Sequence, residues 1–193
     1  MGKVSAGRGI AILLLLAIPP SALADPPRIK PGKGLTLRPG DFAEYANVES
    51  KGEKTTRKFS TIMIALGGEQ DRERVMLMQV RNDKLTSRSL IQYDLTKAGS
   101  DDGELLDSGK ETLVVNGKKF ECRREKRGYE TGTVTTWKCP DLPFERYAKV
   151  RMEREDGMTL VTELVRFGPD PADEQGNEEF LRRLETLNAQ PAD

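Results

Sequence analysis

The residues able to do chemistry are few. Cys122 and Cys139 are the only cysteines in 193 residues, and the chain has no histidine at all. Without histidine, Ser-His-Asp and Cys-His arrangements and the usual zinc hydrolase ligands are out of reach. A structural zinc wants four Cys or His ligands, and a redox pair is normally spaced Cys-x-x-Cys, so both uses are disfavoured against a disulfide. Closing a loop of this length with a disulfide contributes about 3 kcal/mol. No glycine-rich loop follows a strand into a helix, so a nucleotide cofactor has no cradle. Neighbouring carboxylates such as Asp101-Asp102 or Glu178-Glu179 are the raw material of glycoside chemistry. Among 31 acidic residues, however, such pairs arise mostly from solvated surface. Lys118, Lys119, Arg123, Arg124, Lys126 and Arg127 form a basic cluster interleaved with Glu121 and Glu125, which reads as the outer face of a hairpin rather than an anion site. The sequence assigns no catalytic residue, no metal ligand and no cofactor, and points away from an enzyme.

The favoured disulfide agrees with the N-terminus. Lys3 and Arg8 precede the apolar run IAILLLLAI (10–18), and Ala22 and Ala24 have the small-x-small spacing of a signal-peptidase site, so cleavage is expected after Ala24. The run is half the ~20 apolar residues that span a bilayer, and no cysteine follows the cut to carry a lipid, so no stable membrane anchor is expected. The protein is expected to be periplasmic or secreted, where paired cysteines persist. Removing 24 of 193 residues leaves a length that suits one domain. The whole chain has zero formal charge, and the mature part is slightly acidic once Lys3 and Arg8 are gone. That balance gives no electrostatic reason to expect nucleic acid as a partner. Apolar residues make up 36% of the chain and charged ones 32%, so most of the aliphatic side chains are needed for a core.

The elements that would position these residues are strands. After an extended Pro- and Gly-rich leader (25–38), strands are predicted over 42–49, 55–66, 72–80 and 87–95, within a β domain spanning 39–168. Residues 97–109 are polar and glycine-rich and read as the longest internal loop. Asn116-Gly117 and Asp156-Gly157 mark two hairpins, 111–115 with 118–124 and 147–155 with 158–167. If Cys122 faces Cys139, Arg124 lies opposite Trp137 and Lys126 opposite Thr135, with the turn near 129–132. A guanidinium over the only tryptophan is then expected. Beyond Gly168 an acidic, breaker-rich stretch leads into a helix over 178–188 whose Phe180, Leu181, Leu184 and Leu187 share a stripe; together these form a linker and helix over 169–193. The sum is about nine antiparallel strands with one short C-terminal helix, a mainly β fold.

One hairpin is apolar on both faces. Along 59–66, Ile62, Ile64 and Leu66 point one way and Phe59, Met63 and Ala65 the other. Along 75–80, Val75 and Leu77 oppose Met76, Met78 and Val80. A sheet solvated on one side has no place for such a pair. Either the sheet curls around it, or the C-terminal helix covers it, or a ligand or partner does. A loop centred on Gly68-Glu69 pairs Phe59 with Met78, and Phe59, Met63, Met76 and Met78 become candidate contacts for a hydrophobic ligand. Phe180, Leu184 and Leu187 are the candidate cover.

PGDFAEY (39–45), with NGKKFECRR, TTWKCPDLPF and AKVRMEREDGMTLVTELVRFG further on, resembles exported bacterial proteins of the periplasmic lipoprotein-carrier (LolA-like) superfamily. The resemblance spans 39–168. It implies a strongly curved antiparallel sheet, a half-barrel or barrel-like shape of eight to ten strands, whose concave apolar side holds acyl chains. The expected function is non-catalytic binding of a lipid or other hydrophobic ligand. The alternative is an envelope interaction or assembly protein without a small-molecule ligand.

Overall fold

A computed structural model of the chain describes residues 37–68, 72–94, 103–142, 144, 147–169 and 174–190. The expected signal sequence and cleavage site and the leader up to residue 36 lie outside the described residues, as do 170–173 of the acidic stretch.

Nine antiparallel strands form one sheet: β1 (Phe42–Lys51), β2 (Lys54–Ala65), β3 (Arg72–Arg81), β4 (Lys84–Asp94), β5 (Glu104–Val115), β6 (Lys118–Tyr129), β7 (Gly132–Lys138), β8 (Tyr147–Arg154) and β9 (Met158–Gly168), followed by helix α1 (Glu174–Asn188). Their order is β4-β3-β2-β1-β9-β8-β7-β6-β5, so the first and last strands are neighbours and the sheet stays open at β4 and β5. Two of the two-residue turns have left-handed backbone at both positions, Asn82-Asp83 (φ 50° and 57°) and Asn116-Gly117 (φ 50° and 71°), the twist that suits antiparallel strands. Gly132, at φ 143°, opens β7 so close to the backbone of β8 that a Cβ there would collide with the carbonyl of Glu153.

The sheet is strongly curved. Asn116 Nδ2 donates to the Phe167 carbonyl at 3.1 Å, and the Phe120 and Phe167 rings meet edge-on at 5.8 Å, although β5 and β6 lie four and three places from β9. Chain length demands the same. The backbone from Asp94 to Glu104 reaches at most ~36 Å. The outer strands of a flat nine-stranded sheet would stand ~38 Å apart and would also have to be joined at opposite ends. Register shifts interrupt the ladders at Glu49/Ser50, Glu44/Tyr45, Gln79/Val80, Leu105/Asp107 and Trp137/Lys138, and bulges of this kind bend strands.

Three expectations need correction. Residues 104–109 are not loop but the first half of β5, zipped onto β6 from Glu104↔Gly128 to Val115↔Lys118. An edge strand paired on one side needs no apolar face, so polar composition did not forbid it. The β2–β3 pairing is Ile62↔Met78 and Met63↔Leu77 rather than Phe59↔Met78, a register centred on residue 70 instead of on Gly68-Glu69. Helix α1 begins a turn earlier than expected, at Glu174, where an acidic side chain suits the helix N-terminus. The β6–β7 register does place Arg124 opposite Trp137 and Lys126 opposite Thr135.

Candidate functional site

Alternation along β1–β4 sorts the side chains onto two buried faces. On one, Ala43, Tyr45, Met63, Ala65, Val75, Leu77 and Ile91 join a core that also takes Val115 from β5, Cys122 from β6, Trp137 from β7, Ala148 from β8 and Leu164 from β9. A single cluster fed by both edge strands marks the concave side. Leu37, Leu142 and Phe144, none of them in a strand, fill it from outside the sheet. On the other face, Phe42, Ile62, Met78, Val80 and Leu85, with Ile64 and Met76 beside them, pack against Phe180, Leu184 and Leu187 of α1.

The four candidate ligand contacts are therefore divided. Met63 belongs to the concave cluster, and Phe59, in step with it along β2, is buried beneath the Arg57 guanidinium 4.7 Å from its ring centroid. Met76 and Met78 lie under the helix. The corrected register is the cause: shifting the pairing by an odd number of residues exchanges faces.

The helix is held by more than its apolar stripe. Phe180 stacks on Phe42 with ring centroids 3.9 Å apart. Arg183 Nη1 donates to Glu44 Oε1 at 2.7 Å, and Glu44 is buried. Arg88 of β4 donates to the carbonyls of Leu187 and Asn188 at the helix C-terminus, supplying the cation that α1 lacks in its last turn. The backbone N–H of Leu85 donates to Gln190 Oε1 at 3.0 Å. Leu181 is 55% exposed and stands outside the stripe.

A polar belt crosses the concave face. Asn47 Nδ2 donates to Thr61 Oγ1 at 3.0 Å and lies 3.3 and 3.4 Å from the carbonyls of Tyr45 and Phe59. Its Oδ1 accepts from Thr162 Oγ1 at 2.8 Å. All three side chains are buried, and sequence reasoning passed over them because isolated polar residues in strands carry no motif. Across β5–β9 runs a ladder of paired charges: Asp107 with Arg124, Glu153 with Lys126 and Arg151, and Glu163 with Lys149. The Arg124 hydrogen bond and charge hold the Asp107 carboxyl below its ordinary range, and the Arg151 hydrogen bond does the same for Glu153 against a smaller opposing effect of burial.

Arg124 thus turns to Asp107 and not to the tryptophan, because the longer β5 brings that carboxylate beside it. The cation over Trp137 is Lys149, 5.5 Å from the ring centroid, and the indole N–H donates to Glu111 at 2.7 Å. Cys122 and Cys139 are joined in a disulfide, buried in the concave cluster, at the base of the segment that carries Leu142 and Phe144. Among the described residues no group of three or more His, Cys, Asp or Glu stands close enough to hold a metal ion, and no helix is long and apolar enough to cross a membrane.

No family model matches the chain, and no curated protein matches it. Among solved structures it is similar to PNGF-II, at 12% identity over 79% of this chain with a TM-score of 0.36, but spans only 30% of that chain. It is similar to a DUF1329 family protein from Desulfovibrio piger, at 12% identity over 69% of this chain and 86% of that one, with a TM-score of 0.35. It is also similar to a LolA superfamily protein from Nitrosomonas europaea, at 8% identity over 72% and 90% of the two chains, with a TM-score of 0.27. The likeness to the LolA-like superfamily is weak and one of fold.

Proposed function

We propose that the protein is an exported, non-catalytic binding protein that holds a lipid-like hydrophobic ligand against the concave face of its sheet. The observation that supports this most is how that face is filled. The strands supply a wall that includes two alanines, Ala43 and Ala65, and the flexible Met63 and Leu77, while Leu37, Leu142 and Phe144 are inserted from outside any strand. Phe144 is fully buried at φ 54°, a left-handed conformation that a bulky side chain rarely adopts. Filling carried by connecting segments can withdraw for a ligand without unpairing a strand. Cleavage after Ala24 and release into the periplasm or medium belong to the same proposal.

Solvent extraction of protein purified without detergent tests it. Acyl-chain lipids in the extract, in amounts approaching one per protein, are expected. Protein that is empty and also fails to take up a fluorescent fatty-acid analogue would overturn the reading. A protein partner is the second reading, favoured by one feature: β5 is a twelve-residue edge strand on which Leu105, Leu106 and Val114 are about half or more exposed, a template for a partner's strand.

A further inference from the structure

Among the described residues, one buried charged group on the concave side has an oxygen without a partner. Glu73 is only 6% exposed, and its Oε1 accepts no hydrogen bond. It sits near the start of β3, two residues before Val75 and four before Leu77, both of which belong to the concave cluster. No register shift separates Glu73 from Gln79, so strand alternation puts its carboxyl on that same face.

The other buried acids are answered by cations. Glu44 meets Arg183, and Glu125 meets both Arg123 and Arg127. At the far end of the concave bed, Asn47, Thr61 and Thr162 satisfy one another. A buried carboxylate left unpaired is costly, and apolar replacement would be the cheaper choice for stability alone. Its retention beside an apolar bed calls for a donor that arrives from outside. Between Glu73 and Gln79, whose partner on β2 is Thr61 of the polar belt, the face is Val75 and Leu77, flanked by Ala65, Met63 and Ile91. That bed is ~20 Å long at the rise of an antiparallel strand, a length suited to an alkyl chain.

We propose that the ligand of the concave face is a long-chain amphiphile with a protonated amine head, its chain lying on Val75 and Leu77 and its ammonium donating to Glu73. The inference rests on the hydrophobe-binding reading and names the head group that reading leaves open. An ammonium brings the charge and the donors that the carboxylate lacks. An alcohol brings a donor alone, and a second carboxylate brings repulsion.

The test is displacement of a fluorescent hydrophobic dye from the full mature chain by dodecylamine, dodecanol and dodecanoate, each below its aggregation threshold. The amine is expected to displace dye at a concentration at least tenfold lower than the alcohol, with the carboxylate weakest. In Glu73→Gln the amine should weaken about tenfold to match the alcohol, whose own affinity is unchanged and reports an intact bed. Equal displacement by all three, or an amine preference that survives in Glu73→Gln, would refute the head-group assignment and leave the hydrophobe site standing. Displacement by none would remove both. If Glu73→Gln does not fold, the ranking in the unaltered protein decides.

Discussion

Asn47 is 1% exposed and uses its amide to tie β1 to β2 and β9. Replacing it with alanine strands the Thr162 hydroxyl and leaves buried carbonyls short of a donor. Asn47→Ala should cost about 2–3 kcal/mol, read as a lower urea midpoint with an unchanged slope. The charged ladder behaves differently. Asp107 and Glu153 have folded pKa values below their unfolded ones, so their contribution is fully present above about pH 5 and is lost as pH falls through the lowered values. Arg124→Ala and Arg151→Ala should therefore lower stability slightly at pH 7, by no more than a few tenths of a kcal/mol at the half-exposed Glu153. The gap from the unaltered protein should narrow as pH falls below the ordinary carboxylate range. A gap that persists in acid would mean that the arginines act by packing. At this scale the register of Trp137 and Arg124 was legible from two cysteines, but the contact was not. Which neighbour a long cation chooses depends on a carboxylate that an unforeseen stretch of strand delivers.

Between elements, the decisive packing is α1 against β1–β4. Burying Phe180, Leu184 and Leu187 is worth roughly 5 kcal/mol before ordering entropy, and the Glu44 and Arg88 contacts add to it. As a proposal, the helix is a removable cover over the second apolar face. Deleting 169–193 should then expose Met76 and Met78, raise binding of a hydrophobic dye several-fold and promote association. A truncated chain that binds no more dye than the full one would rule the cover out. That this hairpin needed covering on both faces was readable from its double apolar pattern. Which methionine lay on which face was not, because a turn of Gly and polar residues fits several loop lengths and each odd shift exchanges the faces. The Asn82-Asp83 turn was overlooked for a related reason. Its left-handed pair is written with two residues that tolerate positive φ, yet without glycine it lacks the usual emphasis.

For the molecule as a whole, the disulfide joins β6 to the end of β7 and closes a loop of sequence separation 17. Its reduction should lower the unfolding free energy by about 3 kcal/mol, measured by denaturant titration with and without reductant. No change would mean that the reduced, unfolded chain is already constrained. That the two-faced apolar strands had to be enclosed was legible from their pattern, but whether by curvature, helix or ligand was not. The order of the strands was not implied, because nothing local in 42–51 or 158–168 announces that these two segments pair.

That pairing has a kinetic consequence. The centre of the sheet joins the first strand made to the last, so no folding intermediate can complete it before residue 168 is available. Relative contact order is correspondingly high, and such topologies fold slowly. Walking across the sheet from β5 to β4 visits β5, β6, β7, β8, β9, β1, β2, β3 and β4, a simple meander whose one sequence break lies between β9 and β1. A circular permutant that opens the chain within 95–102 and links Gly168 to Phe42, which are register partners, would make every neighbour in space a neighbour in sequence. Without α1 to follow β9, it would build the same sheet from local hairpins alone, and its refolding should outpace that of the natural order.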